Sequence, residues 1–138
     1  MRDVFADTVY WVAILNPKDQ FHISAIESSK TIGSSLIYTT DSVLTEVLNE
    51  FSGKGDFWRN KASEAVKRIM QNPNVKVIPQ TREIFAKGLG LYNSRPDKEY
   101  SLVDCISMVL MKENQMTEIL TDDKHFEQEG YVLLLKQT

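Results

Sequence analysis

Cysteine is nearly absent from this sequence. Cys105 is the only one, so no internal disulfide can form, and the expected setting is the reducing cytoplasm. Long hydrophobic runs are missing as well. No stretch approaches the roughly 18 apolar residues that span a bilayer, so no membrane association is expected. The N-terminal segment MRDVFADTVYW is broken by Asp3 and Asp7, and it lacks the apolar stretch and small-residue cleavage site of a secretory signal. Surplus positive charge is lacking too. The net charge is -3 and the pI about 5.4, which argues against coating nucleic acid by bulk electrostatics. Contact at one site is still open to such a chain, because acidic metal ligands lower the net charge and bound cations reverse its sign locally. Neither repeats nor linkers are visible. The longest loop-like stretch, NSRPDKEY at 93–100, is too short and too charged for a domain boundary. Residues 1–138 are therefore expected to form one domain. Its hydrophobic fraction of 42% and charged fraction of 25% are ordinary for a globular chain of this length.

What is present is an alternation of short apolar strands with longer helices. Strands are expected at Val4–Ala6, Leu36–Thr39, Val75–Ile78, Ile119–Thr121 and Val132–Leu135, where β-branched and apolar residues cluster. Val9–Leu15 is apolar almost throughout and reads as a buried helix ended by Pro17. Asp19–Lys30 reads as a second helix, with Phe21, Ile23 and Ile26 as buried positions. Thr40 and Asp41 offer capping oxygens for a helix to Phe51, and Gly53 and Gly55 break it. Further helices are expected at Phe57–Gln71, at Gln80–Tyr92 despite Gly88 and Gly90, at Ser101–Gln115, and briefly at Asp123–Glu129. Ser101-x-x-Asp104 has the spacing of a capping box. This order is that of an α/β domain whose mostly parallel sheet is covered on both faces. Ligands in such sheets bind beyond the carboxyl ends of the strands.

Acids stand at those positions. Asp7 follows the first strand, and Asp122 and Asp123 follow the strand at Ile119. Glu46 and Asp104 lie on helices among apolar neighbours, where a carboxylate is costly to bury unless it is paired or metal-bound. Taken singly, each has a plain structural use. Asp7 can cap the next helix, Asp104 can complete its capping box, Glu46 can face water, and Asp122 and Asp123 can be an N-cap pair. Taken together, they would repel one another at one sheet edge unless divalent cations intervened. Mg²⁺ and Mn²⁺ prefer oxygen ligands. Two such ions about 4 Å apart can activate water and stabilise the leaving oxygen in phosphodiester cleavage.

The sequence around these acids reads FADTVYW at Asp7, SVLTEVLNEF at Glu46, KEYSLVDCISM at Asp104 and LTDDKHFEQEGY at Asp123. In that order it resembles the PIN-domain family, above all its stand-alone and toxin-type prokaryotic branch. Thr121, Asp123 and Phe126 match the T-x-D-x-x-F segment of that family. The resemblance covers nearly the whole chain. It implies a three-layer α/β/α sandwich with a mostly parallel sheet of about five strands. It implies a Mg²⁺- or Mn²⁺-dependent ribonuclease acting on single-stranded or loop RNA. Asp7, Glu46 and Asp104 would be the principal metal ligands, with Asp123 completing the acidic pocket, often through water. Thr8 and Thr121 would supply supporting hydroxyls. A homodimer is implied, and for toxin-type members an antitoxin protein. Two positions depart from the pattern. Val103 stands where a hydroxyl residue often precedes the third acid, and Asp122 duplicates an acid beside Asp123. The three-residue spacing to Phe126 favours Asp123.

For the substrate side, Thr8, Arg59, Thr121 and Lys124 are the candidates. Arg59 lies in GKGDFWRNK at 53–61, which joins glycines, cations and the pair Phe57 and Trp58. Cations hold phosphates and aromatics stack unpaired bases, although such a segment also serves as a plain helix-helix turn. His22 and His125 are left outside the mechanism, since metal-activated water needs no imidazole. Cys105 is read as a buried, inert thiol, and Trp11 as core or dimer face. Two rival functions lack a needed acid. A phosphatase of the haloacid dehalogenase type needs an Asp two residues after Asp7, where Val9 stands. A phosphorylated receiver module needs an acceptor after the third strand, where Pro79, Gln80 and Thr81 stand. A catalytically silent scaffold for RNA or protein is the remaining alternative, and the intact set of acids speaks against it.

Overall fold

A computed structural model describes residues 2–135. Five strands run in one sheet: β1 (Asp3–Ala6), β2 (Leu36–Thr40), β3 (Val75–Ile78), β4 (Glu118–Leu120) and β5 (Val132–Leu133). Their order is β3-β2-β1-β4-β5, and every neighbouring pair is parallel. β1 is central, with Phe5 opposite both Tyr38 of β2 and Ile119 of β4. Val4, Phe5 and Ala6 are wholly buried. A central parallel strand is covered on both faces, so its apolar residues run without alternation.

Among the described residues, seven helices flank the sheet: α1 (Thr8–Leu15), α2 (His22–Ile32), α3 (Asp41–Phe51), α4 (Asp56–Gln71), α5 (Arg82–Ser94), α6 (Leu102–Glu113) and α7 (Lys124–Gln128). α1 packs on α2, α3 and α4, whereas α5 packs on α6 and α6 on α7. This division is the one that right-handed crossovers produce in a parallel sheet whose strand order reverses. The chain steps outward from β1 through β2 to β3, then returns to the other side of β1 for β4 and β5. The expected three-layer α/β/α architecture is the one observed. Among the described residues, no helix is long and apolar enough to cross a membrane.

Local chemistry sets the element ends. The Thr40 hydroxyl accepts from the Val43 amide at 3.0 Å and caps α3, as expected. Asp41 does something else: its carboxylate accepts from the Gln80 amide at 2.9 Å and ties the end of β3 to the start of α3. α2 begins at His22, three residues later than expected, because the Asp19 side chain folds a turn onto the Phe21 amide at 2.9 Å. That start sets a different buried face. Ser24 and Ala25 are buried while Ile23 is 62% exposed, so the expectation of a buried Ile23 is corrected. Small residues at the contact let α2 approach α1 closely, and the Tyr10 and Ser29 hydroxyls meet there at 2.6 Å.

The reversal of strand order falls between β1 and β4. At such a switch point two connections leave in opposite directions and open a crevice at the carboxyl edge. Asp7 leaves β1 there, and Thr121 leaves β4.

Candidate active site

Asp7 occupies the N-cap position of α1 but makes no side-chain cap hydrogen bond. It is 5% exposed, and its Oδ2 accepts from the Thr121 hydroxyl at 2.9 Å. Burial pushes its pKa up to about 7. The charges of Asp104 and Glu46 push the same way, while the Thr8 amide and Thr121 hydroxyl pull it back. The simple capping role is therefore not the one its carboxylate fills.

Glu46 projects from the middle of α3, beside the buried Val43 and Val47. Its Oε1 accepts from the Thr8 hydroxyl at 2.6 Å. Half-burial raises its pKa, Thr8 opposes this, and Asp104 adds to it. Asp104 forms the expected capping box: Ser101 Oγ accepts from the Asp104 amide at 3.0 Å, and Asp104 Oδ2 accepts from the Ser101 amide at 3.2 Å. Its pKa is nevertheless raised. Burial is the largest cause, the Ser101 amide opposes it, Asp123 repels, and His125 opposes. Asp104 thus caps α6 and faces the other acids at once.

Asp123 is the N-cap of α7, where its Oδ1 accepts from the His125 amide at 2.9 Å. Its own amide donates to the Thr121 hydroxyl at 3.2 Å, so Thr121 ties this segment to Asp7. The Asp122 pKa is raised mainly by burial, and the acids that add to it are Asp123 and Asp19. Of the neighbouring pair, Asp123 is the one beside Asp104.

Both threonines spend their hydroxyls on acids, and Thr121 is fully buried. Lys124 is exposed and makes no ion pair or hydrogen bond among the described residues, which leaves it open beside Asp123. Arg59 is not among the acids. Its guanidinium donates to the Ser52 carbonyl at 2.9 Å, in a cleft shared with Asn49. Asn49 also lines the neighbouring cleft of Thr8 and Glu46. Trp58 stacks on Phe51 at 5.3 Å and belongs to the packing, whereas Phe57 is 68% exposed. Trp11 and Cys105 are buried in the core, and His22 Nδ1 meets the Ala13 carbonyl at 2.6 Å.

One residue left outside the mechanism by the sequence reading lies in the site. His125 Nδ1 stands 3.5 Å from Asp104 Oδ2 and 3.4 Å from Asp123 Oδ1. The Nδ1 atom is buried and, among the described residues, has no hydrogen-bond partner. The spacing Asp123-x-His125 was the available signal, since the capping turn folds the imidazole back over the carboxylate.

These groups fit a divalent cation. The donors are carboxylate oxygens with one imidazole nitrogen, and three of the acids have raised pKa values. Among the described residues, no lysine or arginine pairs with Asp7, Glu46, Asp104 or Asp123. Repelling acids without a basic partner are stabilised by a bound cation.

The model of the PIN-domain family matches residues 4–129. No curated protein matches the sequence. Solved structures are similar in fold. VapC20 of Mycobacterium tuberculosis, described as a sarcin-ricin loop cleaving toxin, has a TM-score of 0.86 at 22% identity, over 96% of this chain and 99% of that one. VapBC2 of Rickettsia felis, bound to a DNA fragment from its promoter, has a TM-score of 0.69 at 12% identity, over 95% and 96%. FitAcB of Neisseria gonorrhoeae has a TM-score of 0.66 at 15% identity, over 95% and 96%. At these identities the likeness carries the fold. With the family model matching residues 4–129 and the fold shared with these structures, the chain belongs to the PIN-domain family, a family of nuclease fold.

Proposed function

We propose that this protein is a divalent-cation-dependent endoribonuclease of toxin type, cleaving single-stranded or loop RNA. The observation that carries the reading is the convergence of Asp7, Glu46, Asp104 and Asp123 at the switch point, where no lysine or arginine among the described residues pairs with them. Asp7, Glu46 and Asp104 hold the cation, and Asp123 completes the pocket. Bound there, Mg²⁺ or Mn²⁺ would offset the acids and supply Lewis acidity to water and phosphate. Thr8 and Thr121 fix the orientation of Glu46 and Asp7 through their hydroxyls. Lys124 lies next to Asp123 and would meet a phosphate oxygen, where a fixed positive charge offsets charge developing on the leaving group. Arg59 would contact the RNA further along, beyond Asn49.

RNA as the substrate is supported by the fold likeness to VapC20, described as a toxin that cleaves the sarcin-ricin loop. An antitoxin partner is part of the same reading, supported by the VapBC2 assembly. So is a homodimer, supported by Phe85, Leu89 and Tyr92, which lie at i, i+4 and i+7 on α5 and are partly exposed. Such activity belongs in the cytoplasm.

A mixed RNA pool incubated with Mg²⁺, Mn²⁺ or EDTA tests the reading, using the wild type and Asp104→Asn. Cleavage is expected with either metal and not in EDTA, and the variant is expected to lose at least about a hundredfold in rate. Equal cleavage by variant and wild type sinks the assignment. RNA binding without cleavage would point to a scaffold instead.

A further inference from the structure

The acids at the switch point divide into two groups that share Asp104. Asp7 is acted on by Asp104 and Glu46, and Glu46 by Asp104. Asp123 adds its charge to that on Asp104, and its Oδ1 lies 3.4 Å from His125 Nδ1. One group, Asp7, Glu46 and Asp104, offers only oxygen. The other, Asp104, Asp123 and His125, offers two carboxylates and an imidazole, with one donor atom of each within 4.8 Å of the others.

His125 is held in this place from several sides. Its amide is fixed by Asp123. The buried Tyr100 ring lies 5.3 Å from the imidazole. The Tyr100 hydroxyl donates to Glu129 Oε1 at 3.0 Å, and the same oxygen accepts from Arg95 Nε at 2.8 Å. A direct charged hydrogen bond from the imidazole would close to about 2.7–2.9 Å, but Nδ1 stands 3.5 and 3.4 Å from the two carboxylates. Donor atoms bound at about 2.1 Å around one ion stand roughly 3 to 3.5 Å apart. The two separations from Nδ1 are those of ligands around a common point, and among the described residues Nδ1 makes no hydrogen bond.

We propose that His125 is a metal ligand, forming with Asp104 and Asp123 a mixed nitrogen-oxygen position that favours Mn²⁺ or another transition ion over Mg²⁺, which rests on the acid-site reading above. Imidazole suits transition ions, whereas Mg²⁺ demands oxygen and holds its water. The all-oxygen group at Asp7 and Glu46 takes either ion. The two positions are then chemically unequal, and Asp104 bridges them.

The test uses Mn²⁺ and Mg²⁺ titrations of the wild type, His125→Ala, His125→Asn and His22→Ala, with electron spin-echo spectroscopy of the Mn²⁺-loaded proteins. Thermal unfolding in EDTA checks that each variant is folded. Wild type and His22→Ala are expected to show the modulation of a directly bound imidazole nitrogen. His22 is the only other histidine in the sequence. His125→Ala is expected to lose that signal and to weaken Mn²⁺ about tenfold or more while leaving Mg²⁺ within about twofold. His125→Asn places an oxygen near the lost nitrogen and is expected to recover part of the Mn²⁺ affinity without the signal. Mn²⁺ bound by the wild type with no nitrogen modulation overturns the proposal. Unchanged or tighter Mn²⁺ binding by His125→Ala also overturns it, and makes His125 a counter-ion of the acids. In both outcomes the acid site stands. A wild type that binds no divalent ion overturns the acid site as well.

Discussion

Asp7 shows how one position can suit two roles that sequence cannot separate. An aspartate directly after a strand and before a helix is a normal N-cap, yet here its side chain accepts no cap hydrogen bond. Its carboxylate is buried against Thr121 instead. Only the packing of β4 beside β1, and with it the placement of Thr121, decides between the roles. Asp104 fills both, which no spacing rule can express. The sequence favours Asp123 over Asp122 only by its three-residue step to Phe126; the fold adds that Phe126 is fully buried and that Asp123 lies beside Asp104 and His125. Asp7→Asn follows from this burial. Asparagine keeps the shape and carries no charge, so it removes the cost of an ionised group in a dry place. In EDTA near neutral pH the variant is expected to be more stable than the wild type by about 2 kcal/mol, although activity and metal-induced stabilisation are lost. Urea unfolding of the two proteins in EDTA measures it. A less stable variant would show that the carboxylate is a structural group rather than one strained for a cation.

At the scale of elements, α5 holds two glycines whose spacing gives no hint that they differ. Gly88 is buried and faces α6. A Cβ there would overlap the Ile106 side chain and lie 3.4 Å from the Ile106 backbone. Gly90 has nothing within 4 Å of the same added atom. Glycine costs a helix about 1 kcal/mol relative to alanine, so the two substitutions are expected to differ in sign. Gly90→Ala should stabilise by about 0.5–1 kcal/mol. Gly88→Ala should destabilise by about 1–3 kcal/mol, because Ile106 is packed and cannot yield freely. Thermal melts of both variants decide the matter, and a stabilising Gly88→Ala would mean that α5 and α6 can move apart at little cost. The elements themselves were largely legible. Because the strands are short and bounded by turn residues, the five strands and seven helices of the described residues fall on the segments that apolar periodicity and caps mark, although α2 starts later and β5 ends at Leu133. What was not legible was tertiary: the contact that requires Gly88, the turn that delays α2 to His22, and the exposure of Ile23. Each depends on which neighbour packs against the segment, and local spacing carries no record of that.

For the molecule as a whole, the site sets one side of the stability balance. Asp7 ionises near 3.8 in an open chain and about 7 in the fold. Between those values the folded state holds a proton that the unfolded chain has released. Stability of the metal-free protein therefore falls as pH rises through this window, and Asp7 alone accounts for about 4 kcal/mol at its upper end. Asp104, Glu46 and Asp122 shift upward too and act in the same direction. Glu129 is the opposite case. Arg95 holds it below its ordinary value, so its contribution is present above that ordinary value and is lost as the pH falls through the lowered one. A divalent cation that binds only the folded state stabilises it by mass action, and it binds best when the acids have lost their protons. The two effects cross. In EDTA the protein is expected to melt at a higher temperature near about pH 5.5 than near about pH 7.5. With Mg²⁺ or Mn²⁺ in excess, that order should narrow or reverse, since the cation replaces the protons as the partner of the acids. Calorimetric scans at the two pH values, with and without metal, measure the crossing. Metal-free melts that are equal at both pH values would mean that the acids of the switch point are not strained in the fold, and the main physical argument for a cation there would be gone.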